Sequence, residues 1–313
     1  MTWCRMPFRD FLRQSARRYA FPVVASCWAA GHALAGWLRP PGAPVRPWTA
    51  RGTDSVVVVA PHPDDETLGA GGATLLHQRA GDTVTVVVVT DGRASHAGGL
   101  PPDEMARRRK GEMRQAAHCL GVANLVDLDL PEGEWQEGDA RTPLARVLRE
   151  ARIVYVPSCV DFHPEHMKVA ALTARLLQPH QTVRIYEIGV PLTPRLVNLI
   201  ADIRSVDAVK QQALQAFVTQ ADALAAPARM ARYRARRYRL PAAEVFWELP
   251  AAVYTRLMAE NDWRGGKSPY RGIRSRPLTD PLSAWMGGVA RRSLRAQADA
   301  LVTALIEDAV NIP

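Results

Sequence analysis

Residues 55–72 read SVVVVAPHPDDETLGAGG, and this stretch constrains the fold more than any other. A β-branched run with no polar alternation is a strand buried on both faces, which means a parallel sheet with helices over each side. The run stops at His62, Pro63, Asp64, Asp65 and Glu66, so one imidazole and three carboxylates stand at its carboxyl end. Open α/β sheets build their sites there, where the loops diverge around a crevice. Crowded carboxylates repel unless a cation or a proton neutralises them. A divalent metal with mixed nitrogen and oxygen ligands meets that requirement better than a solvated turn does. The glycines that follow predict close backbone packing as a helix begins near Ala73.

The alternation of strand and helix then repeats. Thr83 to Thr90 (TVTVVVVT) is a second buried strand, and Asp103 to Leu120 has an acidic start, a basic middle and a stop at Gly121, as a helix should. Leu125 to Leu130 reads as a third strand closed by Pro131, Glu132 and Gly133. A helix follows through Leu144 and Leu148, and Ile153 to Val156 is a fourth strand. Such repetition predicts a Rossmann-like, doubly wound, mostly parallel α/β sheet with helices on both faces. The fourth strand delivers a second cluster, Asp161, Phe162, His163, Pro164, Glu165 and His166, before a helix carrying Val169, Leu172 and Leu176. The two clusters together supply two histidines and a carboxylate with spare acid and base groups. Three protein ligands and an open position form the pattern of a catalytic zinc site.

Five segments, Ala60 to Glu66 (APHPDDE), Thr90 to Gly92 (TDG), Arg109 to Glu112, Leu130 to Gly133 (LPEG) and Asp161 to His166 (DFHPEH), resemble the LmbE-like, or PIG-L, family of metal-dependent N-deacetylases in order and spacing. Weaker similarity runs through Tyr186 to Leu192, Lys210 to Gln220 and Ala231 to Phe246, so the resemblance covers about residues 53 to 250. It implies that His62, Asp65 and His166 ligate zinc, with Fe(II) suited to the same donors. It implies Asp64 as general base, and His163 as the group that stabilises the oxyanion or protonates the leaving amine, with Asp161 holding the His163 ring. Arg93, Arg109 and Glu132 are the implied contacts to the sugar or its anionic substituent. Two positions depart from the family's pattern. Glu165 stands where aspartate is common, and so does Glu132; each keeps the charge and adds a methylene. Glu66 is read as a charge at the start of the following helix.

The implied reaction is zinc-dependent hydrolysis of the acetamide of an N-acetylated amino sugar. The expected substrate is a glycolipid, lipopolysaccharide or other envelope glycan precursor. The alternatives are a small soluble N-acetylglucosamine conjugate of thiol synthesis, or a sugar-binding protein without turnover. The net charge of +9, mostly arginine, suits an anionic partner. No nucleic-acid recognition fold accompanies the arginine-rich stretch at 229–239 or the basic one at 264–276, so a solvated helix face is the reading for the first. Residues 1–50 are expected to be a basic and apolar extension. Arg5, Arg9, Arg13, Arg17 and Arg18 precede a run too diluted for a signal core, and Trp28 and Trp37 fit an interfacial helix or one packed on the main domain. A linker with Pro40, Pro41, Pro44 and Pro47 leads into a deacetylase domain at 51–250. A basic linker and amphipathic helix occupy 251–313, with Leu294, Ala298, Leu301 and Leu305 on one stripe for packing or homo-oligomerisation. Four cysteines without CxxC spacing predict a reducing compartment. The expected location is cytoplasmic, peripheral to the inner membrane face.

Overall fold

The computed structural model describes residues 45–161, 163–188, 196–261 and 281–310 of the 313-residue chain, with Leu192 and the four positions Cys27, Ala30, Gly31 and Leu34. Expectations placed on residues 1–26 and 35–44, on Phe162 and on the basic stretch at 264–276 lie outside the described residues.

The first repeat is β2 (Ser55–Ala60), α1 (Asp65–Ala80) and β3 (Thr83–Thr90), preceded by a two-residue strand β1 (Arg46–Pro47). Next come α2 (Pro102–Cys119), β4 (Asn124–Leu130), α3 (Glu137–Leu148), β5 (Ile153–Pro157) and α4 (Pro164–Ala174). The chain continues through β6 (Thr182–Tyr186), β7 (Leu199–Asp202), α5 (Asp207–Gln215), α6 (Ala221–Arg237), β8 (Ala243–Pro250), α7 (Ala251–Glu260) and α8 (Pro281–Val310).

One eight-stranded sheet results, in the order β1-β7-β8-β6-β5-β2-β3-β4. All pairs are parallel except those of β8, which runs antiparallel to both β6 and β7. This is the mostly parallel, doubly wound α/β sheet that the repeat predicts. From β2 the chain winds outward through β3 to β4, then crosses back to β5 on the other side of β2. The two inner strands therefore send their loops in opposite directions, which opens a crevice at their carboxyl ends.

Alternate side chains of β2 feed two cores. Val57 and Val59 join a cluster with Trp135, Leu144, Val169, Trp247 and Leu257, whereas Val56, Val58 and Ala60 join one with Leu68, Ala73, Met113 and Phe217. Burial of each valine contributes about 1.5–3 kcal/mol, so the strand that carries the first cluster is anchored from both faces.

Helix α1 starts at Asp65, eight residues earlier than its glycines suggest, and those glycines lie inside it. Gly69 is there for space: a Cβ on it would stand 2.0 Å from Cδ2 of Tyr186. That tyrosine is fully buried and donates its hydroxyl to the Val59 carbonyl at 2.7 Å. One turn on, Lys210 donates to the Leu68 carbonyl (2.8 Å) and to Glu244 (2.6 Å), and the Glu244 carboxylate accepts the Gly72 and Ala73 amides, each at 2.7 Å. A buried ion pair thus grips the middle of α1.

Near the far end of α1 lies a second polar chain. Arg184 donates to the Tyr155 hydroxyl at 2.7 Å, that hydroxyl lies 3.0 Å from His77 Nε2, and His77 Nδ1 lies 2.5 Å from Asp82. Burial pushes the His77 pKa down to about 4 against the pull of Asp82, so the ring is neutral, with its proton on Nδ1.

Pro47 belongs to β1, paired with β7, where the prolines read as linker. In α8, Leu294 and Ala298 are fully buried while Leu305 is 40% exposed, so only part of the predicted stripe is covered. In α6, Arg234 is buried and pairs with Glu187, whereas Arg232 and Arg236 are exposed. The cysteines among the described residues are free. No helix among the described residues is long and apolar enough to cross a membrane.

Candidate active site

Both sequence clusters meet in the crevice. His62 leaves β2, Asp65 opens α1, and His166 lies in the first turn of α4 behind Pro164. His62 Nδ1 lies 3.1 Å from Asp65 Oδ2, His166 Nε2 lies 3.3 Å from the same oxygen, and the two nitrogens are 3.3 Å apart. Bonds of 2.0–2.1 Å in a tetrahedral site would space donor atoms about 3.3 Å apart, so this triangle is one face of such a site. His163 joins the two other histidines in a wider group whose ligand atoms lie within 4.8 Å of one another. The donors therefore fit a divalent metal, and Asp65 fits the three-ligand face more closely than His163 does.

The outer nitrogens of both rings face carboxylates. His62 Nε2 is 3.1 Å from Glu132 Oε1, and His166 Nδ1 is 3.1 Å from Asp161 Oδ2. A carboxylate on the outer nitrogen draws the proton there and leaves the inner lone pair for a metal. Burial works against charge on both rings, yet Asp65 and Glu132 bring the His62 pKa above its ordinary value, and Asp65 and Asp161 lift His166 well above. Burial raises Asp65 and Glu132, but the histidines outweigh it: Asp65 ends far below the carboxylate range and Glu132 at about 2. Burial, helped by the two neighbouring rings, lowers His163 to about 4.

Asp64 is held in a conformation that L residues rarely adopt, with φ 121° and ψ −30°. Such strain costs about 1–3 kcal/mol and persists only where the surroundings impose it. Here Glu66 accepts the Asp64 amide at 3.1 Å and is itself steadied by the Thr67 hydroxyl at 2.7 Å. From the other side Arg109 donates to the Pro63 carbonyl (2.6 Å), the Gly92 carbonyl (3.1 Å) and Asp64 Oδ2 (2.9 Å). Gly92, at φ 69°, makes room for that guanidinium, since a Cβ there would stand 2.4 Å from Nη1. Burial raises Asp64 to about 7, with Arg109 opposing, and burial raises Glu66 to about 7 as well.

Every sequence-predicted site residue lies in or beside this crevice, but several do different work from that implied. Arg109 was read as a sugar contact; it is 5% exposed and spends its donors inside the protein. Glu132, also read as a sugar contact, is turned onto His62, and its other oxygen accepts the Ala94 amide at 3.1 Å. Asp161, read as the holder of the His163 ring, lies against the His166 ring and accepts the His163 backbone amide at 3.2 Å. Arg93 is at the rim, its side chain 30% exposed and tied to Asp91 at 2.6 Å. Glu165 does not face the histidines. It accepts the Trp135 indole N–H at 2.6 Å and the Gly133 amide at 3.2 Å. Asp91 belongs to the TDG segment, but the sequence gives it no role, and Trp135 and Lys168 are not singled out at all. Asp91 directly follows β3, so its strand-end position could have marked it; nothing local marks Trp135.

The chain is similar to known proteins in sequence and in fold. Residues 57–177 match the PIG-L family model, described as GlcNAc-PI de-N-acetylase. A 1D-myo-inositol 2-acetamido-2-deoxy-alpha-D-glucopyranoside deacetylase from Kineococcus radiotolerans is 28% identical over 190 residues, which is 44% of this chain and 53% of that protein. The diacetylchitobiose deacetylase of Thermococcus kodakarensis is 28% identical over 191 residues, 53% of this chain and 69% of that one. The match to the first of these relatives thus spans about half of its length. Among solved structures, N,N'-diacetylchitobiose deacetylase from Pyrococcus horikoshii superposes with a TM-score of 0.55 at 21% identity, covering 64% of this chain and 85% of that one. GalB, the 4-carboxy-2-hydroxymuconate hydratase from Pseudomonas putida, gives 0.54 at 22% identity over 63% and 96%. One fold thus carries a deacetylase and a hydratase, so the likeness shows the fold and leaves the reaction to the site. The likeness to the PIG-L family is thus carried by residues 57–177, the segment that holds both clusters of the site.

Proposed function

We propose that this chain is a divalent-metal-dependent deacetylase of N-acetylglucosamine-type amino sugars, releasing acetate and a free amine. The observation that carries this reading is the triangle of His62 Nδ1, Asp65 Oδ2 and His166 Nε2, with edges of 3.1–3.3 Å and a carboxylate behind each ring. Those three residues hold the ion, proposed to be zinc, with Fe(II) sharing the donor preference. Bound there, the ion supplies polarisation of an acetamide carbonyl and acidification of water.

The chain's own residues do the rest. Asp64, fixed beside the ligands by Glu66 and Arg109, takes the proton of the attacking water. His163, whose side chain is 37% exposed, donates to the developing oxyanion or to the departing nitrogen. Arg93 at the rim contacts the sugar or its substituent. The relatives' names favour a small conjugate, such as an inositol glycoside or a chitobiose, over the envelope glycolipid first expected.

The test is metal content together with amine release from an N-acetylglucosaminyl inositol, diacetylchitobiose and a lipid-linked N-acetylglucosamine, for the wild type and Asp64→Ala. Metal near one per chain, release from the small conjugates, and a variant that keeps metal but loses release are the expected results. A metal-free protein, or a variant as active as the wild type, would sink the proposal. Release from the lipid-linked sugar alone would return the substrate to the envelope.

A further inference from the structure

We infer that Trp135 is a positioning residue, gripped by Glu165 and Lys168 of α4 so that the loop before it presses Glu132 onto His62. The inference rests on the metal reading above and adds residues that it does not use. Glu165 and Lys168 are one helical turn apart, with His166 between them turned to the site. Glu165 takes the indole N–H and the Gly133 amide. Lys168 stands 3.7 Å over the indole face and also donates to the Trp135 carbonyl. The ring itself is 1% exposed, packed in the core cluster with Leu144 and Val169.

Residues 131–135 are therefore fastened at their end by α4, and Glu132 within them reaches back to His62 Nε2. The helix that supplies one ligand, His166, thus sets the carboxylate behind another, His62. Glu165 makes sense in these terms. Aspartate, shorter by one methylene, or about 1.5 Å, would fall short of the indole nitrogen while keeping its charge at the helix start. The methylene that departs from the family's pattern is what closes the grip.

The experiment is divalent-ion affinity by chelator competition for Glu132→Ala, Trp135→Phe, Glu165→Asp and the double variant Glu132→Ala/Trp135→Phe. The distance from Glu132 to His62 Nε2 is read in parallel from crystal structures of the metal-free wild type and Trp135→Phe. Loss of a partner behind a metal-binding histidine weakens binding by about 10–100-fold, and Glu132→Ala should fall in that range. Trp135→Phe, which removes the N–H and part of the buried ring, should weaken binding about tenfold, and Glu165→Asp, which leaves the ring whole, should come close to it. In the Glu132→Ala background Trp135→Phe should add nothing, because it acts through Glu132. Glu132 should stay within hydrogen-bond distance of His62 Nε2 in the wild type and leave it in Trp135→Phe.

Losses that add in full in the double variant would mean that Trp135 acts through general packing, and would overturn the inference; so would wild-type affinity in both Trp135→Phe and Glu165→Asp. Should Trp135→Phe fail to fold, Glu165→Asp carries the same comparison. A wild type that binds no divalent ion would defeat the proposed function, and the Glu132–His62 distance in Trp135→Phe would still decide the grip.

Discussion

Gly69 sits inside α1, where helix propensity alone makes alanine the better residue by about 0.8–1 kcal/mol. The structure opposes that gain with a packing contact. An alanine Cβ would stand 2.0, 2.6 and 2.9 Å from three ring carbons of Tyr186, all far inside van der Waals contact. The ring cannot yield freely, since it is fully buried and tethered by its hydroxyl to Val59 at 2.7 Å. Displacing it costs about 1–3 kcal/mol of overpacking, and leaving a buried hydroxyl and carbonyl unpaired costs about 1–3 kcal/mol more. Against the propensity gain, Gly69→Ala should lose about 2–4 kcal/mol, or roughly 3–6 °C in Tm for a chain of this size. Urea unfolding with fluorescence detection gives the free energy, and a Tyr186→Leu background gives the cause. With the ring gone, the same Gly69→Ala change should cost nothing or stabilise. Gly69→Ala at or above wild-type stability, or an equal loss with and without the ring, would refute the contact argument.

Arg109→Met should destabilise by about 2–4 kcal/mol, because it leaves the buried Pro63 and Gly92 carbonyls and Asp64 without their donor; Arg109→Lys should recover little, since one ammonium cannot serve Pro63, Gly92 and Asp64 as the fork does. A lysine variant with wild-type denaturation would contradict this. His77 predicts an acid-sensitive fold. Its folded pKa of about 4 lies below the unfolded 6.5, so the unfolded chain binds a proton that the folded chain refuses. Stability is full above the unfolded value, falls as pH drops toward about 4, and loses about 3 kcal/mol in that window; His77→Gln should flatten this part of the stability–pH curve. Lys210→Met should cost about 3 kcal/mol by leaving Glu244 charged in the core, and Lys210→Met/Glu244→Gln should regain much of it; a double variant worse than the single one would show that the pair matters for more than charge balance.

Much of the sheet was legible because β2, β3 and β5 are buried on both faces, and such strands read as continuous runs of Val and Ile. Thr83–Thr90 was read at its observed limits for that reason. The start of α1 was not, because glycines signal loop by propensity while the need for them came from Tyr186, more than a hundred residues away. β1 was missed for a related reason: Pro47 reads as linker, and only pairing with β7 makes Arg46–Pro47 a strand.

At the site, residue types at strand ends were enough to gather His62, Asp64, Asp65, His163 and His166. Their division of labour was harder to read. Whether Asp161 serves the ring of His163 or that of His166 depends on side-chain direction at the start of α4, and whether Glu132 faces a sugar or His62 depends on how residues 131–135 are fastened. Neither is a local property of the sequence.

The place of β8 in the sheet has a consequence for the order in which the chain is built on the ribosome. Among the described residues, β7 lies between β1 and β8, and β8 joins that pair to β6. Until Pro250 has left the exit tunnel, β6 is an open edge with four parallel strands behind it, and the β1–β7 pair has no strand to join it to that edge. A nascent chain in that state exposes unpaired backbone to any extended segment nearby. Chaperones that shield open strand edges would therefore act on this chain before β8 emerges to cover β6.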